Sequence, residues 1–300
     1  MDAFDALRDS AQSVRAALGG VAERILTIDD RQRDLPKFEG KRHRLAVWLR
    51  EADRFLATRD TKRPAIDIHC AHELSVTASC FQRWSTDPEW PELLKALADA
   101  TSYPHALHTL LIASSFPRHQ VRLNPTRENL RTSDLGVDFG TGGRLSIEVK
   151  APLELQRPEP RLDNNHSNKL INRLMKKADD QLLAESGDGT SGLLAVGGFH
   201  LGREALSSLA RSFKLYLQRK GARRPHLCGI MISNFGVLFD QAPLRTADGD
   251  VRVASATRTR GFNRQAVVEN AHYSGAVPLA LHFGGPDPDV EGAQELMFRE

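Results

Sequence analysis

The stretch DLGVDFGTGGRLSIEVKAP, Asp134 to Pro152, decides how this chain is read. Apolar and polar residues alternate on both sides of a glycine-rich centre, with the period of two that marks strands. Glycine accepts the positive φ angles of tight loops, so GTGG at 140–143 reads as the turn of an antiparallel hairpin. Glu148 and Lys150 lie two residues apart and share one face. Leu145, Ile147 and Val149 fill the other face and are expected to pack on a helix. With an odd loop such as Thr141–Gly143, even-numbered positions on the two strands share a face. Asp138 is then expected opposite Ser146 and diagonal to Glu148, about 7–8 Å away at the backbone. Asp134, after Ser133, reads as a polar strand start, with a ligand role as its alternative.

The neighbouring segments extend the pattern. PHALHTLLIASSF (104–116) reads as a helix and HQVRLNP (119–125) as a short extended piece. After the hairpin, Leu170, Leu174, Ala178 and Leu182 recur at helical spacing in SNKLINRLMKKADDQLLAES. GLLAVGGFH (192–200) is a buried-type strand, REALSSLARSFKLYLQRKGA a helix stopped near Gly221, and PHLCGIMISNFGVLF (225–239) an apolar strand. The order is helix, three strands, helix, strand, helix, strand, which predicts an α/β unit opening on a three-strand meander.

The first hundred residues read as mostly helical. Phe4, Leu7, Val14, Leu18, Val21 and Ile25 form one apolar stripe, with Gly19-Gly20 as an interruption. LAVWLREADRFLA (45–57) and STDPEWPELLKALADA (85–100) continue the helical period, the latter with Ser85 or Asp87 as a cap. The tail from Gln241 is rich in Gly and Pro, and DVRVASATR and AVPLALHF read as short strands that extend the sheet or form a flap. The expected division is a helical region at 1–102, an α/β core at 103–240 and an extension at 241–300.

Composition limits the function classes. Hydrophobic residues make up 40% and charged residues 26% of 300, as in ordinary globular proteins, and a net charge of +3 admits an anionic partner. Cys70, Cys80 and Cys228 have no disulfide-framework spacing and read as reduced thiols. The N-terminus lacks the apolar run of a signal peptide, and no stretch approaches the ~18 apolar residues of a membrane span. A cytoplasmic protein without a membrane partner is the expectation. His69, Cys70, His72 and Cys80 lack the paired frame of a zinc site and read as helix packing. No phosphate loop follows GTGG, and no G-x-S-x-G elbow exists.

Two carboxylates and a lysine suit phosphodiester hydrolysis. Mg²⁺ takes oxygen ligands and accepts one or two protein carboxylates while keeping water. A nearby lysine stabilises developing negative charge. Lys169, Arg173, Lys176 and Lys177, spaced i, i+4, i+7 and i+8, form a basic stripe able to hold phosphates.

An acid after an apolar residue, a glycine turn and then IEVK resembles the signature of the PD-(D/E)xK nuclease superfamily. The resemblance covers roughly residues 104 to 240, including the order of elements. It implies a restriction-endonuclease-like mixed central sheet flanked by helices, with the α-helical N-terminal region attached. It implies Asp138 and Glu148 as ligands of Mg²⁺ or Mn²⁺, the main-chain carbonyl of Val149 as a further oxygen, and Lys150 as the catalytic lysine. Some members carry a glutamine on the following helix, and Gln181 matches it. The implied activity is a Mg²⁺-dependent endonuclease acting on DNA rather than RNA, in restriction, phage defence or repair, with a homodimer suited to cutting two strands. Two departures stand out: Gly136-Val137 occupies the place of the family's proline, and the preceding helix has no acid. The alternative is a binding module on the same fold, for nucleic acid or protein, that has lost its chemistry.

Overall fold

The computed structural model describes residues 3–32, 42–57, 68–124, 132–140, 143–156, 164–184, 190–199, 201, 203–239, 244–245, 251–252 and 259–275. Six helices come first: α1 (Ala3–Leu18), α2 (Gly20–Gln32), α3 (Arg44–Ala57), α4 (Ile68–Trp84), α5 (Trp90–Leu97) and α6 (Tyr103–Ala113). The break between α1 and α2 is Gly19, at φ +54°, a left-handed stop that costs glycine nothing. Strands β1 (Val121–Leu123), β2 (Leu135–Asp138) and β3 (Arg144–Lys150) follow, then α7 (Asn164–Ala184), β4 (Thr190–Phe199), α8 (Arg203–Lys220) and β5 (Leu227–Phe239). This reproduces the order read from the sequence. Two short strands, β6 (Leu244–Arg245) and β7 (Val251–Arg252), pair only with each other, and β8 (Thr259–Glu269) returns to the main sheet.

The main sheet has the order β1-β2-β3-β4-β5-β8. The meander β1–β2–β3 is antiparallel, β3, β4 and β5 run parallel through the α7 and α8 crossovers, and β8 lies antiparallel to β5. The tail thus extends the sheet through 259–269, between the two segments in which strands were expected. Of the two expected strands, DVRVASATR is described at Val251–Arg252, which form β7, and AVPLALHF lies outside the described residues.

Both faces of the sheet are covered, which is why β4 reads as a continuous apolar run. One face carries Leu135, Leu145, Ile147, Val149, Leu193 and Met231, which merge with the side chains of α1–α6 into a single core. The N-terminal helices therefore share that core with the sheet. The helix at its centre, α6, is buried nearly all round, as its apolar sequence requires. The other face carries Leu194, Val196, Ile230 and Ile232 under α7 and α8. Cys70, Cys80 and Cys228 are free and buried, and burial pushes the Cys80 and Cys228 thiols up to about 12. Among the described residues no helix is long and apolar enough to cross a membrane.

Candidate active site

The hairpin forms with an odd loop, as expected, but its register is shifted by two residues. Leu135 pairs with Ile147, Val137 with Leu145, and Asp138 with Arg144. Asp138 is therefore four residues along the ladder from the position facing Glu148, about 13 Å away at ~3.4 Å per residue. Its carboxylate is 55% exposed, lies 3.7 Å from Arg144 Nε and accepts the Gly140 amide at 2.8 Å. That is an Asx turn, in which a short side chain replaces a backbone acceptor and stabilises the loop start. The expectation that Asp138 joins Glu148 is corrected: Phe139 N donates to Gly143 O at 3.0 Å, so the ladder closes on the 139–143 pair, whereas a Thr141–Gly143 turn closes on 140–144. Gly140 and Gly143 take φ +65° and +95° to close it.

One step beyond the Leu135–Ile147 pair, the same register brings Asp134 to Glu148. Asp134 is buried; its Oδ2 accepts the Val149 amide at 2.8 Å, and its Oδ1 lies 3.1 Å from His105 Nε2. In a strand the N–H and C=O of one residue leave the same edge. With its N–H directed at Asp134, Val149 turns its carbonyl to that edge too. His105 comes from α6, the helix in which an acid was sought. Burial lowers its pKa, but the charge and hydrogen bond of Asp134 more than offset this, and the net shift is upward.

Glu148 is 1% exposed on the α7 side of β3. Burial, reinforced by the charge of Asp134, pushes its pKa up to about 8 against the opposing pull of Lys150. Its Oε1 is in close contact with Lys150 Nζ, while Oε2 is buried with no hydrogen-bond partner. Gln181 reaches the same cluster from α7, with Oε1 3.4 Å from Lys150 Nζ and Nε2 3.4 Å from Thr132 O. With the amide turned end for end, Nε2 donates to Glu148 Oε1 at 2.6 Å and to Lys177 O at 3.1 Å, which satisfies both ends of the amide. The structure thus brings together Glu148, Lys150, Gln181 and Val149, as the sequence predicts. It leaves Asp138 apart, and adds Asp134 and His105.

Of the basic stripe, Lys169, Lys176 and Lys177 are exposed along α7, and Arg173 pairs with Glu154 at 2.6 Å. Beside Asp134, on the α6 side, lies a cavity of about 310 Å³ lined by Glu92, Ser102, His105, Thr109 and Asn124 among others.

The donor set fits a hard divalent cation in its chemistry: two carboxylates and a peptide carbonyl, with one buried carboxylate oxygen unpartnered. Among the described residues no group of three or more His, Cys, Asp or Glu is arranged around a metal position. Neither family models, curated proteins nor solved structures gave a match to this chain.

Proposed function

We propose that the chain is a metal-dependent endonuclease of the PD-(D/E)xK type on a restriction-endonuclease-like sheet, hydrolysing phosphodiester bonds of DNA in preference to RNA. Asp134 takes the place first given to Asp138. One observation carries the reading: a buried Glu148 with an unpartnered oxygen, its pKa raised by burial and by Asp134, beside Lys150. An apolar core has no use for such a group, and desolvating it costs stability. A cation offsets that cost.

Asp134, Glu148 and the Val149 carbonyl would hold Mg²⁺ or Mn²⁺. Such an ion acidifies a bound water and neutralises charge on the phosphate. Lys150, held by Glu148 with Gln181 on the same carboxylate, presents an ammonium that can donate to a phosphate oxygen or to the attacking water. His105 and the Val149 amide fix both oxygens of Asp134, so the carboxylate is oriented before any ligand arrives. Lys177, one turn before Gln181, puts the basic stripe within reach of a strand at the site.

The test is cleavage of plasmid DNA and of RNA with Mg²⁺, Mn²⁺ or EDTA. Metal-dependent cutting is expected, lost in Glu148→Ala, Lys150→Ala and Asp134→Asn and kept in Asp138→Asn. The rival reading, a binding module without chemistry, draws on the engagement of both Asp134 oxygens by the protein itself. It expects the same weak degradation in every sample.

A further inference from the structure

From Ala205 to Phe239 the chain contains no acidic residue, although acids and bases nearly balance overall, at 38 against 41. The cations of this segment are Arg211, Lys214, Arg219, Lys220, Arg223 and Arg224, all on α8 or the turn that follows it. Arg211, Lys214 and Arg219, at i, i+3 and i+8, occupy the outward face of α8 with Leu215, while Leu206, Leu209, Phe213 and Leu217 face the sheet. Arg224 is the exception, neutralised by Asp179 of α7.

Cations in the last turn of a helix favourably oppose its dipole, which accounts for Arg219 and Lys220. It does not account for Arg211 and Lys214, which lie earlier and have no carboxylate partner among the described residues. Arg211, Lys214 and Arg219 on one exposed face repel one another through water, and an anion shared among them relieves that repulsion.

The patch is continuous with the stripe on α7. Lys220 Nζ lies 3.4 Å from Asn172 Oδ1, and Asn172 shares an exposed face of α7 with Lys169 and Lys176, at i−3 and i+4. The Arg224–Asp179 pair ties the turn after α8 to α7 two helical turns further on. Round the outer surface of α7 the cations continue to Lys177 and so to Gln181.

We propose that α8 and the turn after it form a second phosphate-backbone track. Joined to the α7 stripe, it holds nucleic acid against the outer surface of the α7–α8 layer. The choice of nucleic acid over another polyanion rests on the nuclease reading of the neighbouring site. At ~1.5 Å per residue the stretch of α8 from Arg211 to Lys220 spans about 14 Å, enough to face several phosphates of one backbone at ~3.4 Å of axis per charge.

The test is fluorescence anisotropy with a labelled duplex in EDTA, which separates binding from cleavage, from about 50 to about 200 mM salt. The proteins are wild type and the combined variant Lys214→Gln, Arg219→Gln, Lys220→Gln, Arg223→Gln. A control carries glutamine at Arg8, Arg24, Arg31 and Lys95 of the helical region. A Lys214→Glu single variant guards against misfolding of the combined one. The α8 variant is expected to bind at least about 10-fold more weakly at mid-range salt, with a log–log salt slope shallower by about 3–4. Lys214→Glu is expected to shift affinity in the same direction and the control to match wild type. Equal affinity and slope for wild type and the α8 variants overturns the proposal, as does binding of phosphatidylserine vesicles without binding of the duplex. Duplex binding through α8 in a protein with no metal-dependent cleavage supports the track and overturns the nuclease reading alone.

Discussion

Asp134 and Asp138 are four residues apart at the two ends of β2, and their side chains are 6% and 55% exposed. Asp138 is held by its own turn: the Gly140 amide and Arg144 are local partners, and water screens the rest. Asp134 is held by two separate parts of the chain, β3 through the Val149 amide and α6 through His105, and its charge opposes ionisation of Glu148. The difference separates a loop-stabilising acid from one that the proposed function assigns to the metal. Residue type and apolar flanks do not decide it. Convergence of sequence-distant partners around a desolvated carboxylate does.

The sharpest contrast between the two ends is in cleavage. Asp134→Asn, Glu148→Ala and Lys150→Ala are each expected to lower metal-dependent cutting at least about 10²–10³-fold, the scale of losing one charge-stabilising group. Asp138→Asn is expected to stay near wild type, because its lost contacts are local and exposed. Comparable losses at both aspartates would erase the distinction.

Second comes metal affinity. His105 touches only the Asp134 end, so His105→Ala is expected to weaken Mn²⁺ binding about 10–100-fold, the usual cost of removing an outer partner of a ligand. His105→Gln, which can still donate to Asp134, should recover much of it, and calorimetric titration gives the answer. Third is stability against pH in the absence of metal. Glu148 titrates near 8 in the folded chain against 4.5 in the reference, so the folded state binds the extra proton between those values. Stability therefore falls as pH rises through that window. Glu148→Gln removes the penalty and is expected to raise the melting temperature by a few degrees at pH 9, with no gain at pH 4. A melt series in EDTA tests the sign.

The smallest effect lies in the turn. Gly143→Ala places a Cβ at φ +95° and should cost about 1 kcal/mol, read in a denaturant melt, while Mn²⁺ affinity stays unchanged.

Much of this was legible before any coordinates. The element order from α6 to β5 follows from periodicity alone, and parity put Glu148 and Lys150 on one face, with Ile147 and Val149 packed toward α6. Gln181 was legible through the resemblance, which implies a glutamine on the helix after the hairpin. The register was not. Parity is fixed by an odd loop, but a three-residue loop centred on Thr141 and one centred on Gly142 have the same parity, and they exchange Asp134 for Asp138 opposite the active face. His105 is hidden for a different reason: the resemblance implies an acid on α6, and an imidazole bonded to a carboxylate stands there instead. The signal that could have found both is pairwise. A strand-start acid beside an apolar meander is worth asking what it meets on the helix before it.

The account stands most directly on where the cation binds. Calorimetric titration of Mn²⁺ into wild type, Asp134→Asn and Asp138→Asn is expected to give saturable binding in wild type and Asp138→Asn, and none, or binding weakened at least about 10-fold, in Asp134→Asn. Binding that survives in Asp134→Asn and disappears in Asp138→Asn would contradict it.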